Sequence, residues 1–137
     1  MGRQLSLGRG MKQKLVHMLS KEARRRILEV LARERGSEAA EVLGISRAAL
    51  SKFLNGKIHP SDEVVERAIS SANSLEMNKI LVIIAEDIAD FARELADLIR
   101  NHGEDFKSPE LINEALRELE RAAEELREST HSSRKRG

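Results

Sequence analysis

Residues Gly36 to Asn55 constrain this chain of 137 residues more than any other stretch. They run Gly-Ser-Glu-Ala-Ala-Glu-Val-Leu-Gly-Ile-Ser-Arg-Ala-Ala-Leu-Ser-Lys-Phe-Leu-Asn. Ala39, Ala40 and Leu43 mark the inner side of a short helix opened by Ser37. Gly44 stands where the chain must turn sharply, and glycine takes positive φ at little steric cost. Ile45 follows as a plug between two crossing helices. Ser46 is a good N-cap, because its hydroxyl accepts from an orphan backbone N–H. Leu50, Phe53 and Leu54 then recur at i, i+3 and i+4, giving a second helix one apolar side. Ala40 must be small because the helices cross close to it. The succession predicts two short helices joined by a tight turn.

That arrangement is a helix-turn-helix, whose second helix can enter a DNA major groove. The plain alternative is a pair of core helices in an all-α protein. The coincidence of small, Gly, apolar and capping residues at the required places favours the first reading.

The window resembles the helix-turn-helix of the phage repressor/Cro-like (XRE-type) superfamily, and the similarity extends beyond it. After Phe53-Leu54-Asn55-Gly56-Lys57 come Ile58-His59-Pro60-Ser61 and a periodic segment with Val64, Val65, Ala68 and Ile69. These are similar to the family's recognition helix, its exit, and a next core helix opened by a Pro-Ser cap. Ser20 to Arg35 corresponds to the first helix, so the resemblance covers about residues 20–73. Many members carry Gln just inside the first helix of the motif, where this chain has Ser37.

The resemblance implies double-stranded DNA as partner, bound by the side of the second helix opposite Leu50, Phe53 and Leu54. Arg47 is expected to contact guanine in a bidentate manner and Ala48 a thymine methyl. Ser51 would read a base or a phosphate. Lys52, Asn55 and Lys57 suit backbone contacts, and Ser37 and Ser46 would offer cap N–H groups to phosphate.

Charge supports this division. Residues 1–60 hold 13 Lys and Arg against 5 Asp and Glu, and residues 61–137 hold 11 against 18. The net charge of +1 therefore hides a basic half containing the motif and an acidic half that phosphate repels. The bland reading of charge blocks is solvation. Residues Met1 to Gly10, with three glycines, read as a flexible basic arm or a plain disordered terminus. Leu15, Met18 and Leu19 suggest a helical turn or two. Ala23, Ile27, Leu28, Val30 and Leu31 give the next helix its core side. Of Arg24, Arg25 and Arg26, at most two can face phosphate together, because successive helical residues are about 100° apart.

Beyond Ser70 to Ser74, a candidate hinge unless one helix continues from Asp62 to Arg100, lies a long helix over about 76–100. Met77, Leu81, Ile84, Ile88, Phe91, Leu95 and Leu98 alternate in steps of four and three, an a/d seam. Ala85, Ala89, Ala92 and Ala96 form a small-residue stripe beside it. Asn101-His102-Gly103 ends the helix. Ser108-Pro109 starts a last one carrying Ile112, Leu116, Leu119, Ala123 and Leu126. A two-helix hairpin of this size has too little core alone. It must pack on the first half or on a second copy. The double apolar coverage of the long helix favours a homodimer, with Leu81, Ile84, Ile88, Phe91, Leu95 and Leu98 at the interface.

The expected architecture is all-α: a basic arm over 1–19, a repressor-like helix-turn-helix domain over 20–73, a helical hairpin over 74–128 forming a dimeric bundle, and a disordered basic tail over 129–137. Chemistry is expected to be absent. There is no Cys, and no pair of His17, His59, His102 and His131 has metal-ligand spacing. Glu128 and His131 alone have Glu-x-x-His spacing, at a fraying end. Asp87, Asp90, Glu94 and Asp97 read as a solvated face. No phosphate loop, nucleophile elbow or pocket-forming segment appears, so neither an enzyme nor a cofactor or small-molecule ligand is expected. The longest apolar run, Ile80 to Ala85, is too short for a membrane span. The expected location is the cytoplasm, at the nucleoid. The expected function is transcriptional regulation by a dimer reading an inverted repeat. The alternatives are a partition or chromatin-type DNA binder and a protein-interaction adaptor.

Overall fold

The computed structural model describes residues 14–103 and 109–136, with side chains as far as His131. Residues 1–13 of the expected arm and the Ser108 cap lie outside the described residues. Every regular element among those described is an α-helix: α1 (residues 14–18), α2 (Lys21–Arg35), α3 (Glu38–Leu43), α4 (Arg47–Leu54), α5 (Asp62–Ser71), α6 (Ser74–Asn101) and α7 (Pro109–Arg136). The all-α expectation is met. None of these helices is long and apolar enough to cross a membrane.

The chain divides into two units with a boundary after Glu94. In the first, α2 is central. Ser20 caps it, its Oγ accepting from the Ala23 N–H at 3.1 Å. Ala23, Ile27, Leu28, Val30 and Leu31 are buried along one stripe, and α3, α4 and α5 pack around that helix. Ala39, Ala40, Leu43, Leu50, Phe53, Val64, Val65 and Ala68 complete the core as expected.

The unit extends at both ends beyond residues 20–73. Val16 and Leu19, three residues apart, are buried in the same core. Leu15 and Met18 are exposed instead. At the other end, Ile80, Ile83 and Ile84 of α6 enter the core. The first turns of the long helix thus belong to the helix-turn-helix unit. Ile84 was expected on the dimer seam and is buried within its own chain. The reason is geometric: Ile80, Ile83 and Ile84 lie at i, i+3 and i+4, so the inward stripe takes Ile84 away from the seam.

α5 and α6 are separate helices. Ala72 is extended, at φ −66° and ψ 136°, which breaks the α-helical hydrogen-bond ladder. Asn73 restarts it. The Glu76 N–H donates to Asn73 Oδ1 at 2.8 Å, and the Asn73 N–H donates to Glu76 Oε1 at 2.9 Å. This is a reciprocal capping box.

The second unit holds the end of α6, then α7. α7 continues to Arg136, so the expected disordered tail is helical over 129–136. No Gly or Pro interrupts that segment, and the Ser129 and Thr130 hydroxyls donate to the carbonyls of Glu125 and Leu126. Leu111, Leu119 and Leu126 are exposed, while Ile112 and Leu116 are half-buried.

Candidate nucleic-acid interface

Both helices of the motif end in the same closure. At α3, the Ile45 N–H donates to the Ala40 carbonyl at 3.0 Å and the Gly44 N–H to the Glu41 carbonyl at 3.0 Å. At α4, Lys57 donates to Lys52 at 2.9 Å and Gly56 to Phe53 at 3.1 Å. Gly44 and Gly56 sit at φ 72° and 75°, as this left-handed closure requires. The first closure turns the chain from α3 into α4. The second returns it from α4 and holds Lys57 beside the helix end.

Ser46 opens α4, its Oγ accepting from the Ala49 N–H at 3.0 Å. Leu50 and Phe53 are buried and Leu54 is half-buried, which anchors one side of the helix. Arg47, Ala48, Ser51, Lys52 and Asn55 are all exposed. At about 100° per residue they span an arc of about 140°. One continuous polar surface, backed by an anchored apolar one, is therefore presented outward. Asn55 Nδ2 lies 3.4 Å from Ser51 Oγ and pairs the two polar tips. Ser37 is exposed too, but its backbone is already helical and its hydroxyl makes no cap bond.

The cations fall into two groups. Arg24 Nη2 donates to the Val16 and His17 carbonyls and pairs with Asp62 at 2.6 Å, while Nη1 holds the Pro60 carbonyl at 3.0 Å. Arg24 beside Asp62, with the His17 ring, holds that carboxyl below the ordinary range. Arg25 pairs with Glu22, Arg26 with Glu86, Arg33 with Glu29 and Arg35 with Glu76. Each arginine of α2 thus has a carboxylate partner, Arg24 and Arg35 within the fold and Arg25, Arg26 and Arg33 in surface pairs, so that Arg24 is withdrawn from phosphate. By contrast, Arg47, Lys52 and Lys57 have no ion pair among the described residues. The uncompensated positive charge of the motif is concentrated on and beside the outer face of α4.

Sequence reasoning missed two neighbours. Glu38 and Glu41 line a shallow groove with Ser37, Ala40, Ile45 and Arg47. They complement the positive end of α3, and they place carboxylates beside the one arginine of the outer face. Their spacing of three along a helix was visible, but which flank of Arg47 they share depends on the turn.

The expected dimer residues distribute unevenly. Leu81, Ile88 and Phe91 are exposed, at 55%, 48% and 60%. Leu95 and Leu98 in the second unit are exposed as well. Only Ile84 is withdrawn.

Residues 35–70 match the family model described as helix-turn-helix. The match runs from the last residue of α2 through α3 and α4 into α5. It agrees with the repressor/Cro-like resemblance carried by the turn and the recognition helix, and this segment is a helix-turn-helix of the DNA-binding type. No curated protein and no solved structure matches the chain.

Proposed function

We propose that this protein is a transcriptional regulator that binds double-stranded DNA sequence-specifically, as a homodimer on an inverted repeat. The observation that carries the reading is the outer face of α4. It presents unpaired Arg47 and Lys52 with Ala48, Ser51 and Asn55, while nearly every other arginine nearby is neutralised within the fold.

Arg47 reads a guanine edge through its two-pronged guanidinium. Ala48 meets a thymine methyl, and Ser51 a base edge or a phosphate. Lys52, Asn55 and Lys57 hold the backbone, fixing register without reading sequence. The Ser46 oxygen is occupied by its cap bond, which leaves the N–H groups of Arg47 and Ala48 at the helix start for a phosphate. Ser37 marks the start of α3, where Glu38 and Glu41 oppose an anion, so its contribution is the smaller one. Those two carboxylates also penalise nonspecific approach of the phosphate backbone.

The exposed strip Leu81, Ile88 and Phe91 supports the second copy. A helix buried on one side in its own core and apolar on another has a face left to cover. A twofold dimer sets two recognition helices about 34 Å apart, one turn of DNA.

The test is selection of bound sequences from a random duplex pool at near-physiological salt. Enrichment of an inverted repeat with half-sites about one turn apart is the expected outcome. Retention without an enriched motif replaces this reading with a chromatin-type role. No retention replaces it with a protein-interaction adaptor working through α6.

A further inference from the structure

Glu76 is the only buried charged residue among those described, with 0% of its surface exposed. Arg35 grips it in a two-pronged manner, Nε to Oε2 at 2.9 Å and Nη2 to Oε1 at 2.8 Å. The same Nη2 donates to the Ser71 carbonyl at 2.7 Å. One guanidinium therefore ties together the end of α2, the end of α5 and the start of α6. It does so across the break at Ala72 and Asn73, where the helical ladder is interrupted. Further along, Lys79 reaches Glu34 at 2.7 Å and Arg26 reaches Glu86 at 3.0 Å. Asp87 accepts from both the N–H and the hydroxyl of Ser20, at 2.9 and 2.6 Å. The partners run 35, 34, 26, 20 against 76, 79, 86, 87, so α6 is laced antiparallel to α2 over its first four turns.

A buried ion pair is weak evidence for stability, because desolvation offsets most of its attraction. Its bidentate geometry instead fixes direction. Direction matters here because α6 is a lever. From Glu76 to Phe91 it extends about 22 Å at 1.5 Å per residue. A difference of about 10° in the direction of α6 displaces Phe91 by about 4 Å, more than the roughly 3.4 Å rise of one base pair.

We infer that Arg35 and Glu76 are positioning residues that lock α6 to the helix-turn-helix and so set the spacing between half-sites the dimer accepts. This rests on the dimeric DNA-binding reading above. Neither residue lies on the outer face of α4.

The test compares the full chain with Glu76→Gln, which keeps the cap acceptor and removes the charge, and with Arg35→Lys, which keeps the charge and removes the fork. Each is first checked for native helicity. Binding is then measured on a single half-site and on inverted repeats whose spacing changes by one base pair at a time. Wild type is expected to prefer one spacing by about tenfold over its neighbours. The variants should bind the half-site as wild type does, with that preference reduced to about threefold or less. A folded variant that keeps the wild-type spacing profile overturns the inference, as does equal loss on half-site and full site. A second measurement works without DNA: the distance distribution between spin labels at positions 48 and 93, with labelled chains diluted in unlabelled ones. A narrow distribution in wild type that broadens in Glu76→Gln supports the lock, and equal widths overturn it. Should wild type bind no duplex while the distribution broadens as expected, the DNA reading fails and the lock stands.

Discussion

The guanidinium of Arg67, on α5, donates from Nη1 to the backbone carbonyl of Leu43 at 3.1 Å, closing the end of α3. The same nitrogen stands 2.5 Å from where a Cβ on residue 44 would lie. The turn of the motif therefore needs glycine for its left-handed φ, and a Cβ there would also push the tip of Arg67 off the Leu43 carbonyl.

Gly44→Ala is accordingly expected to destabilise the fold by about 1–3 kcal/mol, from the left-handed backbone and the displaced cap. Arg67→Met removes the carbonyl bond together with an exposed pair to Glu63, and should cost about 1 kcal/mol. Urea titration of both variants checks the order. A Gly44→Ala protein as stable as Arg67→Met would remove the left-handed backbone from the argument.

Replacing one partner of the Arg35–Glu76 pair should be costly, and replacing both should not. Arg35→Met alone leaves a buried carboxylate uncompensated, at about 3–5 kcal/mol. Arg35→Met with Glu76→Leu is expected to recover most of that loss. Chemical denaturation of the two singles and the double closes the cycle; additive losses would show that the partners do not interact.

The same pair sets an acid response. The Arg35 guanidinium, followed by the Asn73 N–H, holds the Glu76 carboxyl below the ordinary glutamate range despite burial. A depressed folded pKa stabilises the native state above the unfolded pKa. That contribution is lost as pH falls through the depressed folded value. Stability should therefore decline on the acid side of the ordinary glutamate pKa, and Glu76→Gln should flatten that limb. Melting temperatures against pH measure it; parallel acid limbs in the two proteins would assign the decline to Asp62 and Glu22, which are depressed by their own arginines.

On the outer face of α4, Arg47→Ala should cost about 1–3 kcal/mol at the selected site and relax one base position. Lys57→Ala should weaken all sequences alike and lower the salt slope by about one unit. Titrations on matched and mismatched duplexes at several salt concentrations distinguish them. Equal loss on every sequence for Arg47→Ala would reassign it to phosphate.

Leu81→Glu combined with Ile88→Glu should leave the chain folded, since both side chains are largely exposed in the single chain. It should abolish self-association, because a carboxylate buried at an interface has no partner. Sedimentation of wild type and variant decides this; a wild type that already sediments as one chain would send the apolar strip to another occupant.

Local patterns carried much of this molecule. The 3.6-residue spacing of Ala23, Ile27, Leu28 and Leu31, the caps Ser20, Ser46 and Ser61, and the glycine at 44 mark helix starts, stops and buried sides by rules acting within a few residues. The outer face of α4 follows directly, because fixing Leu50 and Phe53 inward leaves only one direction for Arg47, Ser51 and Lys52. The Asn73–Glu76 capping box too is local, an Asn-x-x-Glu spacing within four residues.

Tertiary structure decided what depends on residues far apart in the chain. Whether Arg24, Arg26 and Arg35 meet phosphate or a carboxylate depends on Asp62, Glu86 and Glu76, placed there by other helices. The heptad rhythm of α6 contains two overlapping stripes, and only the packing of α6 onto the common core chose Ile80, Ile83 and Ile84 for burial and left Leu81 and Ile88 outside. Hydrophobic burial is non-directional, so periodicity names the faces of a helix while the arrangement of its neighbours selects which face is covered.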